Sequence, residues 1–192
     1  MNIRNLYYPN CYIQFLRLIA HFHSMKIEHI CSIFEQYPNA SMLASYIEWK
    51  NQYQRTVRRN MKAIILSNQR LFDIHQTVGK HIEKPKLVDI NIMHTIKRLM
   101  PDIDTTLCMK EGMYQCIKVV TNHTFQPYVC TDIEIKSILF CICTHYHIDV
   151  DELTFSSIHL WSMNKSDQNL KKSVHIITYM TDFLINMIEQ DS

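Results

Sequence analysis

The sequence predicts an all-α protein, a single bundle of seven to eight helices around one buried apolar helix. Three observations support this prediction. The 192 residues include only two glycines, Gly79 and Gly112, where average composition would supply about a dozen. Apolar residues recur at spacings of three and four along most of the chain, which is the helical period. Thr131-Asp-Ile-Glu134 has the pattern of a capping box, and it opens the most apolar segment, 132–147.

The scarcity of glycine also excludes several classes of function. Tight β-turns, phosphate-binding loops and nucleophile elbows use glycine to reach positive φ or to let the backbone approach a ligand. The glycine-rich motifs of P-loop nucleotidases, dinucleotide-binding enzymes and serine hydrolases do not occur in the sequence. We therefore expect a protein that is not an enzyme and that uses no cofactor.

The first 38 residues predict a helical extension to the main domain. One helix is expected from about Cys11 to Tyr37, with a break near His23, because apolar side chains recur there at helical spacing. Pro38 ends this helix, since proline lacks the N–H that a helix interior requires. We expect residues 1–38 to form the extension and residues 39–192 to form the bundle domain.

Seven further segments are expected to be helices, and proline or capping residues separate several of them. Lys84-Pro85 and Met100-Pro101 each end a helix, because the residue before a proline disfavours helical geometry. Asp104 or Thr105 is expected to cap one helix, and the segment from Asp149 to Glu152 to begin another. The expected helices cover approximately residues 41–57, 61–82, 89–99, 105–120, 132–147, 153–161 and 170–189.

Cysteine usage and hydropathy predict a cytosolic location. The seven cysteines are odd in number and irregular in spacing, and several lie within apolar helical patterns. This arrangement indicates buried free thiols in a reducing compartment. No uncharged apolar stretch is long enough for a membrane span, and Arg17 interrupts the apolar run that a secretory signal would need.

Charge is unevenly distributed, although the net charge is only +2. Residues 50–86 contain nine Lys or Arg against Asp73 and Glu83, whereas residues 130–192 contain four Lys or Arg against nine Asp or Glu. Four of the basic residues fall at helical spacing and are expected to share one helical face: Arg55, Arg58, Arg59 and Lys62. Such a face indicates a solvated surface that complements the acidic helices, an acidic protein partner, or phosphate binding with a base stacked on Tyr53.

The segment Cys141-Ile-Cys-Thr-His-Tyr-His-Ile-Asp149 contains metal-ligand residue types at close spacing. On a helix, its thiols and imidazoles would pair at i,i+4, as Cys141 with His145 and Cys143 with His147. The following Asp149 also completes part of the H-x-H-x-D-H pattern of metallo-β-lactamase-type hydrolases, but Val150 stands where that pattern requires its last histidine. The favoured interpretation is buried cysteines followed by histidines at the negative end of a helix dipole, without a metal.

Two segments resemble motifs of the poxviral Bcl-2-like family of helical immunomodulators. Tyr46-Ile-Glu-Trp-Lys-Asn51 is similar to the Y-I-x-W-[RK]-N stretch of that family, and Ile138-Leu-Phe-Cys-Ile-Cys143 to its I-G-[LI]-C-A-[CK] stretch. The resemblance covers roughly residues 40–190. It implies a viral protein of the branch that binds host signalling adaptors, because the Asn-Trp-Gly-Arg signature of the apoptosis-blocking branch is absent.

These inferences lead to one expected function and two alternatives. We expect a non-enzymatic viral protein of the host cytosol that binds and inhibits an innate-immune or apoptotic signalling protein, with a homodimer as a further expectation. Aromatic and arginine side chains often dominate such contacts, and the candidates are Trp49, Tyr53, Arg55, Arg58, Arg59 and Lys62. The alternatives are a nucleic-acid-binding accessory protein that uses residues 50–86, and a metal-dependent hydrolase. The candidate ligands for a metal, structural or catalytic, are Cys141, Cys143, His145 and His147.

Overall fold

The computed structural model describes residues 6, 8–82, 92–102, 108–151, 153 and 155–190. The α-helices of this part of the chain are α1 (Pro9–His21), α2 (Ile27–Gln36), α3 (Tyr46–Asn51), α4 (Ile92–Leu99), α5 (Met109–Thr124), α6 (Asp132–His145), α7 (Ile158–Met163) and α8 (Asp167–Gln190). The strands are β1 (Leu43–Ser45), β2 (Arg55–Val57), β3 (Ile64–Leu66), β4 (Gln69–Asp73) and β5 (Thr77–Gly79), and a 3₁₀ helix occupies Ile74–Gln76. The prediction of an all-α fold is therefore wrong.

The five strands form two small antiparallel sheets. The first has the order β1-β4-β3, with Ala44 opposite Phe72 and Ile65 opposite Arg70. The second consists of β2 and β5, with Thr56 opposite Val78. We call residues 43–79 the strand region. Two helices were expected here, over residues 41–57 and 61–82. Of these, only a short part of the first is helical, as α3.

The apolar helix that was expected at the centre of the molecule is confirmed as α6. It packs against α1, α5 and α8, which together with α6 we call the helical core. Ten side chains of α6 are buried, in an almost unbroken run from Ile133 to Cys143. A helix that is apolar on all sides is stable only when other elements surround it.

The first predicted helix is divided near His23, as expected. It consists of α1, which ends at His21, and α2, which begins at Ile27. Helix α1 lies against α6, where the Tyr12 hydroxyl is 2.7 Å from the Ser137 hydroxyl in a buried hydrogen bond. Buried side chains of α1 belong to the same apolar core as those of α6 and α8. The proposed domain boundary at residue 38 stays a prediction.

A buried polar cluster fixes the N-terminus of α6, where the predicted capping box is confirmed. The Glu134 carboxylate is fully buried and accepts hydrogen bonds from the Thr131 N–H (2.7 Å) and the Tyr128 hydroxyl (2.7 Å). The Lys165 ammonium lies 3.1 Å from this carboxylate and 4.6 Å from the centre of the Trp161 ring. The cluster therefore ties the start of α6 to the segment between α7 and α8.

The C-terminal helices are placed close to the predicted segments. Helix α8 begins three residues before the expected Leu170, and α5 extends to Thr124 rather than Val120. Helix α7 begins only at Ile158, and Asp149 instead accepts a hydrogen bond from the Asp151 N–H in a preceding turn. The predicted caps at 104–105 and the helix end at 84–85 lie outside the described residues.

Within the described part of the chain, no helix combines the length and apolarity needed to cross a bilayer.

Candidate nucleic-acid interface

The geometry of the strand region depends on one buried carboxylate, Asp73. Its Oδ2 accepts hydrogen bonds from the backbone N–H groups of Ser41 (2.7 Å) and Met42 (3.0 Å). Its Oδ1 accepts from the His75 N–H (2.9 Å) and lies 2.6 Å from the Nδ1 of the same residue. Asp73 is fully buried, so the single carboxylate between residues 50 and 82 is directed into the protein.

Gln76 connects the Asp73 cluster to the segment between β2 and β3. The side-chain amide of Gln76 accepts from the Asp73 N–H and donates to the Lys62 carbonyl, each at 2.8 Å. Its backbone carbonyl accepts from the Arg58 N–H, also at 2.8 Å. Residues 58–62 are thus held at both ends by one buried side chain and its backbone.

Arg55 has a structural position in the second sheet. Its Nε donates to the Thr77 hydroxyl at 2.7 Å, and its Nη2 donates to the Thr77 carbonyl at 3.2 Å. Its Nη1 donates to the Lys80 carbonyl. The guanidinium therefore joins β2 to β5, and its donors are directed to backbone and hydroxyl oxygens of the protein itself.

Trp49 lies in the core rather than at the surface. Its side chain is fully buried, and its indole N–H donates to the Phe72 carbonyl of β4 at 2.8 Å. The ring packs against the half-buried Tyr53, with 5.0 Å between ring centroids. Of the aromatic candidates from the sequence, only Tyr53 keeps a partly exposed side chain.

The other predicted basic residues are exposed, but they do not share a helical face as expected. Arg58, Arg59 and Lys62 lie on the connection between β2 and β3. Further exposed cations come from α3, from β4 and from the residue after β5. We define the basic surface as the exposed side chains of Lys50, Arg58, Arg59, Lys62, Arg70 and Lys80. Because Asp73 is buried, every exposed Asp, Glu, Lys or Arg between residues 50 and 82 is a cation.

Lys50, Arg70, Lys80 and the buried Asp73 were not among the candidate residues named from the sequence. Arg70 faces outward because it lies opposite the exposed Ile65 in the β3–β4 hairpin, and a helical interpretation of 61–82 contains no such pairing. Asp73 had a recognisable signal. It is a lone carboxylate among seven basic residues, and it lies between apolar neighbours in Leu71-Phe-Asp-Ile74. A carboxylate in such surroundings is typically buried with hydrogen-bond partners.

The candidate metal ligands on α6 do not converge. Cys141 and Cys143 are fully buried free thiols, and burial raises the pKa of Cys143 to about 11 and that of Cys141 further. Such thiols are protonated at neutral pH, whereas a metal binds the thiolate. The Nδ1 of His145 lies 3.1 Å from the Ala20 carbonyl, and His147 is exposed. In the described ranges, no three His, Cys, Asp or Glu side chains are placed to share a metal ion.

Comparison of the chain with family models, with curated proteins and with solved structures gave no match. The resemblance to the poxviral Bcl-2-like family stays a prediction, and the all-α fold that it implied is wrong for residues 43–79.

Proposed function

We propose that this chain is a non-enzymatic nucleic-acid-binding protein that contacts phosphates through the basic surface. The observation that carries the proposal is the absence of any exposed carboxylate between residues 50 and 82, in a segment that exposes six cations. A segment whose exposed charges are all cations attracts polyanions, and Lys and Arg supply the contacts that displace counterions from phosphates.

The arrangement of these cations supports the proposal because part of the basic surface is preorganised. Arg58 and Lys62 lie at the ends of a short connection whose backbone is bonded to Gln76. Between them, Asn60 adopts a positive φ of 64°, and the Met61 N–H donates to the Arg58 carbonyl. A connection fixed in this way loses less conformational entropy when it binds than a mobile loop would.

A protein partner is the second candidate. Five large apolar or aromatic residues of the strand region are 40–68% exposed: Tyr46, Ile47, Met61, Ile65 and Val78. Apolar side chains combined with arginine are typical of protein interfaces. A host innate-immune or apoptotic signalling partner, and a homodimer, stay predictions that rest on the sequence.

Salt dependence tests the nucleic-acid proposal. Binding of a fluorescent 20-nucleotide strand should weaken steeply between about 50 and 200 mM salt, because bound phosphates release counterions. Arg58→Ala should reduce the slope of log K against log salt by roughly one phosphate contact. Lys118→Glu on α5 is the control, since Lys118 is exposed outside the strand region.

Two outcomes separate the candidates. Steep salt dependence that Arg58→Glu/Arg59→Glu abolishes and Lys118→Glu preserves would support phosphate binding. A folded protein that binds neither single-stranded nor duplex nucleic acid at 50 mM salt would rule it out. In that case, crosslinking of a protein partner in cells, with the same Arg58/Arg59 variant as the negative control, tests the second candidate.

A further inference from the structure

A pocket of about 380 Å³ lies between the β3–β4 hairpin and the start of α2. Its apolar wall is formed by Met25, Leu66 and Leu71, and its polar rim by His29, Asn68 and Gln69. This volume falls within the ~300–1,000 Å³ that is usual for small-molecule sites. The pocket therefore combines an apolar interior with a few polar groups at its mouth, as ligand sites do.

The walls of the pocket are held together by side-chain hydrogen bonds. The Gln36 side chain of α2 pairs with both backbone groups of Ile65, donating to its carbonyl at 2.9 Å and accepting from its N–H at 2.8 Å. At the hairpin tip, the Ser67 hydroxyl lies 3.4 Å from the Nε2 of His29. These bonds join the outer edge of β3 to α2, so the pocket is formed before any ligand enters.

The polar rim has the chemistry that recognises a nucleobase. The Asn68 and Gln69 side chains are exposed amides, each with donor and acceptor groups that can pair with the N6 and N7 edge of adenine. The imidazole of His29 offers an aromatic face for stacking, and unpaired bases commonly stack on histidine.

The tip of the β3–β4 hairpin separates the pocket from the nearest cation of the basic surface. Leu66 and Leu71 line the pocket, whereas Arg70 lies opposite the exposed Ile65 and therefore on the other face of the hairpin. Asn68 and Gln69 come immediately before Arg70 in the chain. A nucleic-acid strand with a phosphate on Arg70 would therefore pass around the hairpin tip to place a neighbouring base in the pocket.

We propose that this pocket binds an unpaired base, best matched by adenine, and that the chain consequently prefers single-stranded to duplex nucleic acid. The inference rests on the proposed function, since the basic surface supplies the phosphate contacts. A paired base keeps its recognition edge and both faces within the duplex, so it cannot enter a pocket of this kind.

Oligonucleotides with and without bases test the pocket separately from the phosphate contacts. An adenine dodecamer is compared with an abasic strand of equal length and charge at 50 mM salt, by fluorescence anisotropy. Base stacking and pairing should make the adenine strand bind at least about fivefold more tightly. Asn68→Ala/Gln69→Ala should remove this difference, whereas Arg58→Ala should weaken both strands by a similar factor.

The possible outcomes distinguish the two proposals. Equal binding of the adenine and abasic strands to the wild-type protein would overturn the base pocket but leave phosphate binding intact. Failure of both strands to bind would overturn both proposals. Because Asn68 and Gln69 are exposed, their variants are expected to fold, and circular dichroism checks this. A duplex that binds as tightly as the adenine strand would also overturn the preference for single strands.

Discussion

The helical core and the strand region are stabilised in different ways. In α6, eight of the ten buried side chains are apolar, and the helix is enclosed by α1, α5 and α8. In the strand region, buried polar side chains take a large share: Asp73, Gln76 and Thr77. Apolar burial therefore dominates α6, although Glu134 and Ser137 are also buried there with hydrogen-bond partners. The short strands depend more on buried polar side chains that bond to the backbone.

The polar side chains also determine what each region presents to solvent. By burying Asp73, the strand region removes its only carboxylate between residues 50 and 82 from the surface. The helical core keeps exposed acidic groups, among them Glu111, Asp132 and Glu189. The same interaction that supports the strands thus leaves residues 50–82 without an exposed carboxylate, while Glu48 of α3 stays exposed.

Asp73→Ala should have the largest effect on stability. It leaves the N–H groups of Ser41 and Met42 without their acceptor, and unfolding free energy should fall by about 3–5 kcal/mol. Urea denaturation measures this change. His75→Ala is the matched control, with an expected loss below about 1 kcal/mol because its side chain is 63% exposed. Equal losses for the two variants would show that Asp73 does not support the strand region.

Ile138→Ala should destabilise the helical core by about 3 kcal/mol, because it leaves a cavity at a fully buried position. Ile65→Ala provides the comparison, since the Ile65 side chain is 45% exposed and should cost less than about 1 kcal/mol. Thermal unfolding of both variants tests this. A loss at Ile138 no greater than that at Ile65 would contradict the central position of α6.

Glu134→Gln should make stability less sensitive to acid. Burial raises the pKa of Glu134, but hydrogen bonds from Ser173, Thr131 and Tyr128 and the charge of Lys165 outweigh it, so the pKa lies below its usual value. The ionised carboxylate therefore contributes stability above its unfolded pKa of about 4.3, and this contribution is lost as pH falls through the folded pKa.

Urea unfolding at pH 7 and at about pH 3 measures this effect. The wild-type protein should lose more stability on acidification than Glu134→Gln does. Glu111→Gln, at an exposed position on α5, serves as the control and should behave like the wild type. The same acid-induced loss in Glu134→Gln would show that the cluster at the start of α6 does not depend on this charge.

Arg58→Ala should have the smallest effect on stability, within about 0.5 kcal/mol, because its side chain is exposed. Arg55→Ala should cost more, about 1–3 kcal/mol, since it removes the guanidinium that joins β2 to β5. Denaturation of the two variants sharpens the distinction between structural and surface arginines. Equal stability of the two would place Arg55 in the same class as Arg58.

Helix boundaries could be predicted well where the sequence contains local signals. The capping box at Thr131–Glu134 and the break near His23 follow from residues close in the chain, and both are confirmed. The strands could not be predicted in this way. Ile64, Ile65 and Leu66 fit a helical period as well as the alternation that the structure shows, in which only Ile65 faces outward.

The inference from scarce glycine to an all-α fold was wrong for a physical reason. Turns in this chain use other residues at positive φ, among them Gln54 at 53°, Asn60 at 64° and Ser67 at 52°. A residue with a side chain costs roughly 1–2 kcal/mol in this conformation, and the sheets that these turns join offset that cost. The position of Gly79, in contrast, requires glycine, because an added Cβ would lie 2.6 Å from the Gln54 carbonyl oxygen.

The candidate site was only partly accessible from the sequence. Composition correctly located a basic segment, since charge is a property of the residues themselves. It could not show that Trp49 is buried or that Arg55 is bonded to Thr77, because both depend on strands that pair across more than twenty residues.

The sequence by itself determined the buried central helix, its cap and the concentration of basic residues, because each depends on neighbours within a few positions. Tertiary structure alone decided that five strands form within residues 43–79 and that Asp73 turns inward. Three-residue strands have no stable form without a partner, so long-range pairing outweighs their local helical pattern. The carboxylate-free basic surface is a consequence of that pairing.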